Sequence, residues 1–152
     1  MPMIGRGPSR NYAKTAESIF YRSLTEMRQG GQLISPAEGR ERIEAGKLSP
    51  ALERFQKETS SNKVIAEGDL SKLTGVLGAR FLLQTELQQV EIAEGATQVR
   101  IGGKLWDTEM GDVVWEGTGE SRGYIFLFFP RVPTTFEKAV EVASRGLIKR
   151  LP

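Results

Sequence analysis

The chain has 152 residues, 39% of them hydrophobic and 26% charged, with 21 basic against 19 acidic side chains and a net charge of +2. This is the usage of a globular domain long enough to bury a core, and the small, interleaved cationic excess does not argue for nucleic acid. With no cysteine and no histidine, disulfides, thiolate or imidazole metal sites, a cysteine nucleophile and a Ser-His-Asp triad are all excluded.

No stretch approaches the roughly 20 apolar residues that span a bilayer. The longest apolar run, residues 124–129, has six. The opening MPMIGRGPSRN lacks the apolar stretch of a secretory signal. The chain is therefore expected either to be cytoplasmic or to follow a removed leader, and a cysteine-free chain suits either redox compartment.

Residues 1–10, rich in glycine and proline, read as a flexible tail or edge segment ahead of a single domain over residues 11–152. A helix is expected over residues 11–29. Tyr12, Ala16, Ile19, Phe20, Leu24 and Met27 share one face, and Gly30-Gly31 ends it. Gln32-Leu33-Ile34 is a short strand candidate. Ser35-Pro36-Ala37-Glu38 has the form of a capping box with proline at the first helical position, so a second helix starts there and stops at Gly46. Ser49-Pro50 opens a third, with Leu52 and Phe55 inward, and the polar residues 57–63 read as a loop. Asp69 is expected to cap a fourth helix holding Leu70, Leu73, Val76 and Leu77, closed by Gly78.

Phe81, Leu83, Thr85 and Leu87 then alternate with Leu82, Gln84, Glu86 and Gln88, the period of a strand with one buried face. A turn at residues 93–96 leads into a β-hairpin over residues 97–121. Its register follows from a turn at Thr108-Glu109-Met110-Gly111 with Gly111 left-handed. Thr108 then faces Asp112, Leu105 faces Trp115, Lys104 faces Glu116 and Arg100 faces Glu120. One face carries Val99, Ile101, Leu105 and Trp115. The other carries two opposite-charge pairs, each worth roughly 0.2–1 kcal/mol over Ala–Ala. A slip by one residue would mix the faces. Pro130 and Pro133 punctuate the chain, and Thr134-Thr135-Phe136-Glu137 is a further capping box. The helix after it buries Phe136, Val140, Ala143 and Leu147. The expected class is α+β: an antiparallel meander sheet covered by amphipathic helices in a single compact domain.

No chemistry-bearing motif survives inspection. Residues 117–123 are glycine-rich, but an apolar extended run follows them, where a phosphate loop needs a helix. They read instead as a bend, with glycines opposite Gly103 and Ile101 making room for Trp115. Asp107, Glu109 and Asp112 gather at the hairpin tip; calcium wants six to eight oxygens on a suitably looped backbone, and an exposed turn favours acids for solubility and turn chemistry, so they read as the turn. Glu116 and Glu120 face cations, which lower the pKa that a general acid needs raised. Arg40, Arg42, Lys47, Arg54 and Lys57 alternate with glutamates and read as a solvated helix face. No catalytic, metal or cofactor residue is assigned, and the chain is not expected to be an enzyme.

One segment asks for a partner. Tyr124, Ile125, Phe126, Leu127, Phe128 and Phe129 are six large apolar residues without alternation. They read either as a strand buried on both faces or as a contact surface with a partner, a second copy or a membrane interface. With them, the outward hairpin residues Trp106 and Arg100 are the expected partner-binding residues, since tryptophan and arginine are favoured at interface hot spots.

Leu77-Gly78-Ala79-Arg80-Phe81-Leu82-Leu83, followed by the hairpin Gly103-Lys104-Leu105-Trp106-Asp107-Thr108-Glu109-Met110-Gly111-Asp112-Val113-Val114-Trp115-Glu116-Gly117, resembles a pattern of bacterial envelope lipoproteins. These have folds like the curli-secretion protein CsgG, the penicillin-binding-protein activator LpoB or the amino-terminal domain of TolB. Met110 stands where threonine is usual, and only Met3-Ile4 remains to supply the family's opening strand. The resemblance implies a non-enzymatic cell-envelope module acting through protein–protein contacts in assembly, secretion or activation. Its partner would be another envelope protein or a second copy, without nucleic acid or cofactor. It also implies a periplasmic, outer-membrane-associated location, reached through a leader and lipidated cysteine not present in these residues. The alternative is a cytoplasmic nucleotide- or nucleic-acid-binding domain, suggested by the sequence pI near 9.0 and the glycine-rich bend.

Overall fold

In the computed structural model, which describes residues 1–5, 7–30, 32–60, 67–93, 96–121, 133 and 135–152, the chain folds as helices on a twisted sheet. The order is β1 (Ile4–Gly5), a 3-10 turn (Gly7–Tyr12), α1 (Ala13–Met27), α2 (Pro36–Ala45), α3 (Ser49–Ser60), α4 (Glu67–Leu77), β2 (Phe81–Ala93), β3 (Ala96–Asp107), β4 (Asp112–Glu120) and α5 (Phe136–Ile148). The sheet runs β1-β2-β3-β4. The α+β class and the meander are as expected. The opening strand is present but only two residues long, and it pairs parallel to β2 at Glu86 and Leu87, making the sheet mixed.

The two sheet faces are covered by different helices. On one, Leu87, Val99 and Ile101 pack with Ala16, Ile19 and Phe20 of α1 and Val140, Ala143, Leu147 and Ile148 of α5. On the other, Leu82 and Trp106 pack with Ile43 of α2, Phe55 of α3 and Leu70, Leu73 and Leu77 of α4. β2 is therefore buried on both faces at its start, where the alternation alone suggested one. Phe81, expected on the inward row, is half exposed at the strand's end.

Local signals explain most element ends. The Ser35 hydroxyl accepts from the Glu38 amide at 3.1 Å and starts α2. The reciprocal half of the box is missing, because the Glu38 carboxylate takes Arg42 at 2.7 Å instead. Thr135 caps α5, accepting from the Lys138 amide, while Thr134 lies outside the described residues. α4 begins at Glu67, so Asp69 lies inside it and caps nothing; its carboxylate receives both Nε and Nη2 of Arg54, at 2.7 and 2.8 Å. α3 continues through residues 57–60, where a loop was expected. Residues 32–34 carry no ladder; they form a strap rather than a strand.

The hairpin register matches the expectation along its body: Arg100 faces Glu120, Lys104 faces Glu116 and Leu105 faces Trp115. It differs at the tip. Asp107, not Thr108, faces Asp112, and an irregularity between Leu105 and Trp106 absorbs the difference. Thr108 is held just ahead of β2 instead, donating its amide and hydroxyl to the Arg80 carbonyl at 2.9 and 2.7 Å. Gly111 takes the left-handed conformation, with φ of +76°.

Candidate functional site

An apolar groove of about 870 Å³ lies at one end of the sheet. Its floor is Leu83 and Leu105, cross-strand partners on β2 and β3. Leu24 near the end of α1 and Leu151 beyond α5 form one wall, and Phe81 and Val114 form the rim. The strap residues Leu33 and Ile34 also line the groove, and they line as well a smaller pocket of about 110 Å³ that includes Ile43 and Leu77. Leu33, Phe81 and Val114 expose 36%, 49% and 46% of their surface, a concentration of apolar area at one end of the molecule.

Three guanidiniums line the groove, and each already has acceptors in the chain. Arg28 donates to the main-chain carbonyls of Ile148 and Leu151. Arg42 binds the Leu77 carbonyl and Glu38, both at 2.7 Å. Arg80 meets Asp107 at 3.2 Å and Glu109 at 3.3 Å. Asp107 also accepts the Glu109 and Met110 amides. Burial pushes its carboxyl up, but those amides and Arg80 outweigh it and leave it below its ordinary value. Two of the hairpin-tip acids thus answer to one arginine and to their own turn.

The expected partner-binding residues are distributed differently. Trp106 is a correction. It does point away from the Val99 face, but that second face is not open there. Its ring lies edge-on to Phe55 at 5.4 Å, its indole N–H donates to Gln84 Oε1 at 3.2 Å, and only 7% of it is exposed. Arg100 stands on the same face beyond the helices, paired with Glu120 at 2.8 Å. The structure does not bring the two together. Tyr124, Ile125, Phe126, Leu127, Phe128 and Phe129 lie outside the described residues. Of the cations read as a solvated helix face, Arg40 reaches Glu17 of α1 at 2.7 Å and Arg54 reaches Asp69 of α4, so these two tie helices together.

Sequence reasoning missed the groove. Its lining comes from stretches of chain far apart in sequence, from Leu24 to Pro152, which no local pattern brings together.

No family model matches the chain, and no curated protein matches it. Among solved structures, the dodecamer of a PelC point variant from Paraburkholderia phytofirmans aligns over 98% of this chain and 80% of that one, at 18% identity and a TM-score of 0.50. The chain shares its fold with PelC. Lipoprotein GNA1162 from Neisseria meningitidis aligns over 79% of this chain and 77% of that one, at 15% identity and a TM-score of 0.49. The likeness to PelC agrees with the fold expected from the envelope-lipoprotein resemblance; CsgG, LpoB and TolB are not the structures named by these two alignments. Among the described residues, no helix is long and apolar enough to cross a membrane.

Proposed function

We propose that this chain is a non-enzymatic assembly module of a bacterial cell envelope, acting through contacts with copies of itself. The observation that carries the reading is the fold shared over 98% of the chain with PelC, a protein whose solved form is a dodecamer. The exposed apolar groove supports it, since surfaces of that kind mark contacts between proteins. The compartment comes by analogy from the envelope-lipoprotein pattern of residues 77–83 and 103–117, and a lipid anchor on a longer precursor would supply the attachment. The contact residues of this reading are Tyr124, Ile125, Phe126, Leu127, Phe128, Phe129 and Arg100; Trp106, buried against Phe55, is not among them.

Light scattering coupled to size exclusion tests the central claim. The expected mass is a multiple of 16.8 kDa that falls on dilution or on Phe126→Ser with Phe128→Ser. A wild-type chain that stays at 16.8 kDa at the highest soluble concentration overturns it.

A further inference from the structure

Charge is divided unevenly across the sheet. Residues 7–29 and 135–152, the layer of α1 and α5, carry eight basic and four acidic side chains, a net +4. The remaining described residues carry nine basic and fourteen acidic ones, a net −5. The small overall charge is thus the sum of two opposed parts, and a charged surface orients such a molecule.

We infer that the outward face of α1 seats on a membrane surface of anionic phospholipid. This goes beyond the self-assembly reading above and does not depend on it.

The cations of that face are free. Arg10, in the last turn of the 3-10 segment, and Lys14 and Arg22 of α1 are exposed. Lys14 and Arg22 stand about 12 Å apart along one side of the helix, with the exposed Ser18 between them. Among the described residues none of the three cations has an ion pair or a side-chain hydrogen bond. The acids of the same stretch are engaged elsewhere. Glu17 is turned inward and takes the Met3 amide and Arg40, each at 2.7 Å. Glu26 takes Arg145 at 2.6 Å. Glu137 of α5 shares a shallow recess with Lys14 and Arg22 and offsets one of the three charges.

A bilayer suits this strip better than other polyanions do. It asks for positive charge on one side only, and the acidic remainder of the molecule then points away from it. Single-stranded nucleic acid asks for an aromatic platform, and the exposed Tyr12 ring is already packed on Phe136 at 4.9 Å. A second copy would have to offer a compact acidic patch. The acids of this chain are spread over α2, β2 and the hairpin, and Arg42, Arg80 and Arg100 hold several of them.

Co-sedimentation of the full chain with vesicles tests the inference. Binding is expected to vesicles of phosphatidylcholine and phosphatidylglycerol in equal parts, not to phosphatidylcholine alone, and it should fall steeply with salt. Each basic side chain at an anionic surface strengthens adsorption about fivefold. Lys14→Glu with Arg22→Glu should therefore weaken binding at least about a hundredfold while leaving the circular dichroism unchanged. Lys47→Glu with Lys72→Glu makes the same change in net charge beside α2 and on α4, and should keep the affinity within about fivefold of the wild type. The inference is overturned if the two double variants lose affinity equally, if binding survives high salt or needs no phosphatidylglycerol, or if a duplex oligonucleotide binds as tightly at the same salt. A wild type that ignores the vesicles, with a Lys14→Glu, Arg22→Glu variant of altered mass in light scattering, also overturns it and assigns the strip to a contact between copies. A wild type that binds vesicles as a monomer removes the self-assembly reading alone.

Discussion

Asp69 and Asp107 are carboxylates that folding has moved below their ordinary titration range. Asp69 is lowered by its bonds to Arg54; for Asp107 burial pushes upward, and the Glu109 and Met110 amides together with the Arg80 guanidinium outweigh it. A depressed folded pKa contributes stability that is present above the unfolded value, about 3.9 for aspartate, and is lost as pH falls through the folded one. The thermal midpoint should therefore hold from pH 7 to 5 and drop below about pH 4. Asp69→Asn should start lower but lose less between pH 5 and 3. A variant slope equal to the wild type would show that the Arg54 pair does not form. At this scale the sequence was legible only for nearby partners. Ser35 and Gly111 act within their own turns and were placed correctly. The partner of Asp69 lies fifteen residues away on another helix, so local pattern read the acid as a cap. Trp106 failed for a similar reason: alternation fixes which face a side chain takes, but not what later packs on that face.

Between elements, α5 sits close against the hairpin. A Cβ on Gly119 would collide with the Ala143 carbonyl and with Leu147 of α5, and no flexible side-chain tip is there to yield. Gly119→Ala should therefore destabilise the fold by about 1–3 kcal/mol in urea titration, as overpacked cores do. Gly68→Ala meets nothing within 4 Å and is the control expected to be nearly neutral or better. Equal effects from both substitutions would contradict the close approach. The hairpin was the most legible element because its charges and apolar residues each fix one register. Its tip differs by one residue because Thr108 bonds to Arg80, just ahead of β2, a tie invisible within the hairpin's own sequence.

Among the described residues two hydrophobic cores are separated by one sheet, with α1 and α5 on one side and α2, α3 and α4 on the other. Phe55 is fully buried at the centre of the second core. Phe55→Ala should cost about 3–5 kcal/mol. Hydrogen exchange should then rise in α3 and α4 while amides at Leu87 and Ile101 stay protected, because separate cores open as separate units. Uniform loss of protection would mean that the sheet couples them into one. The two-sided arrangement was hidden from the sequence. Amphipathic spacing shows that a helix buries a face but not which side of the sheet receives it, and Gln84, Glu86 and Gln88 made the second side look solvent-facing. The groove was hidden for the same reason, since it exists only where the ends of both layers leave the sheet bare.

Trp115 lies across Gly103 and Gly117, where an added Cβ would come within 3.3 and 2.5 Å of its ring, and Leu147 crowds Gly103 from the helix side. Volume at this spot is a shared quantity. A methyl gained by the backbone must be surrendered by the indole or the leucine, so viable sequence drift here is expected to proceed by exchange between positions rather than at any one alone.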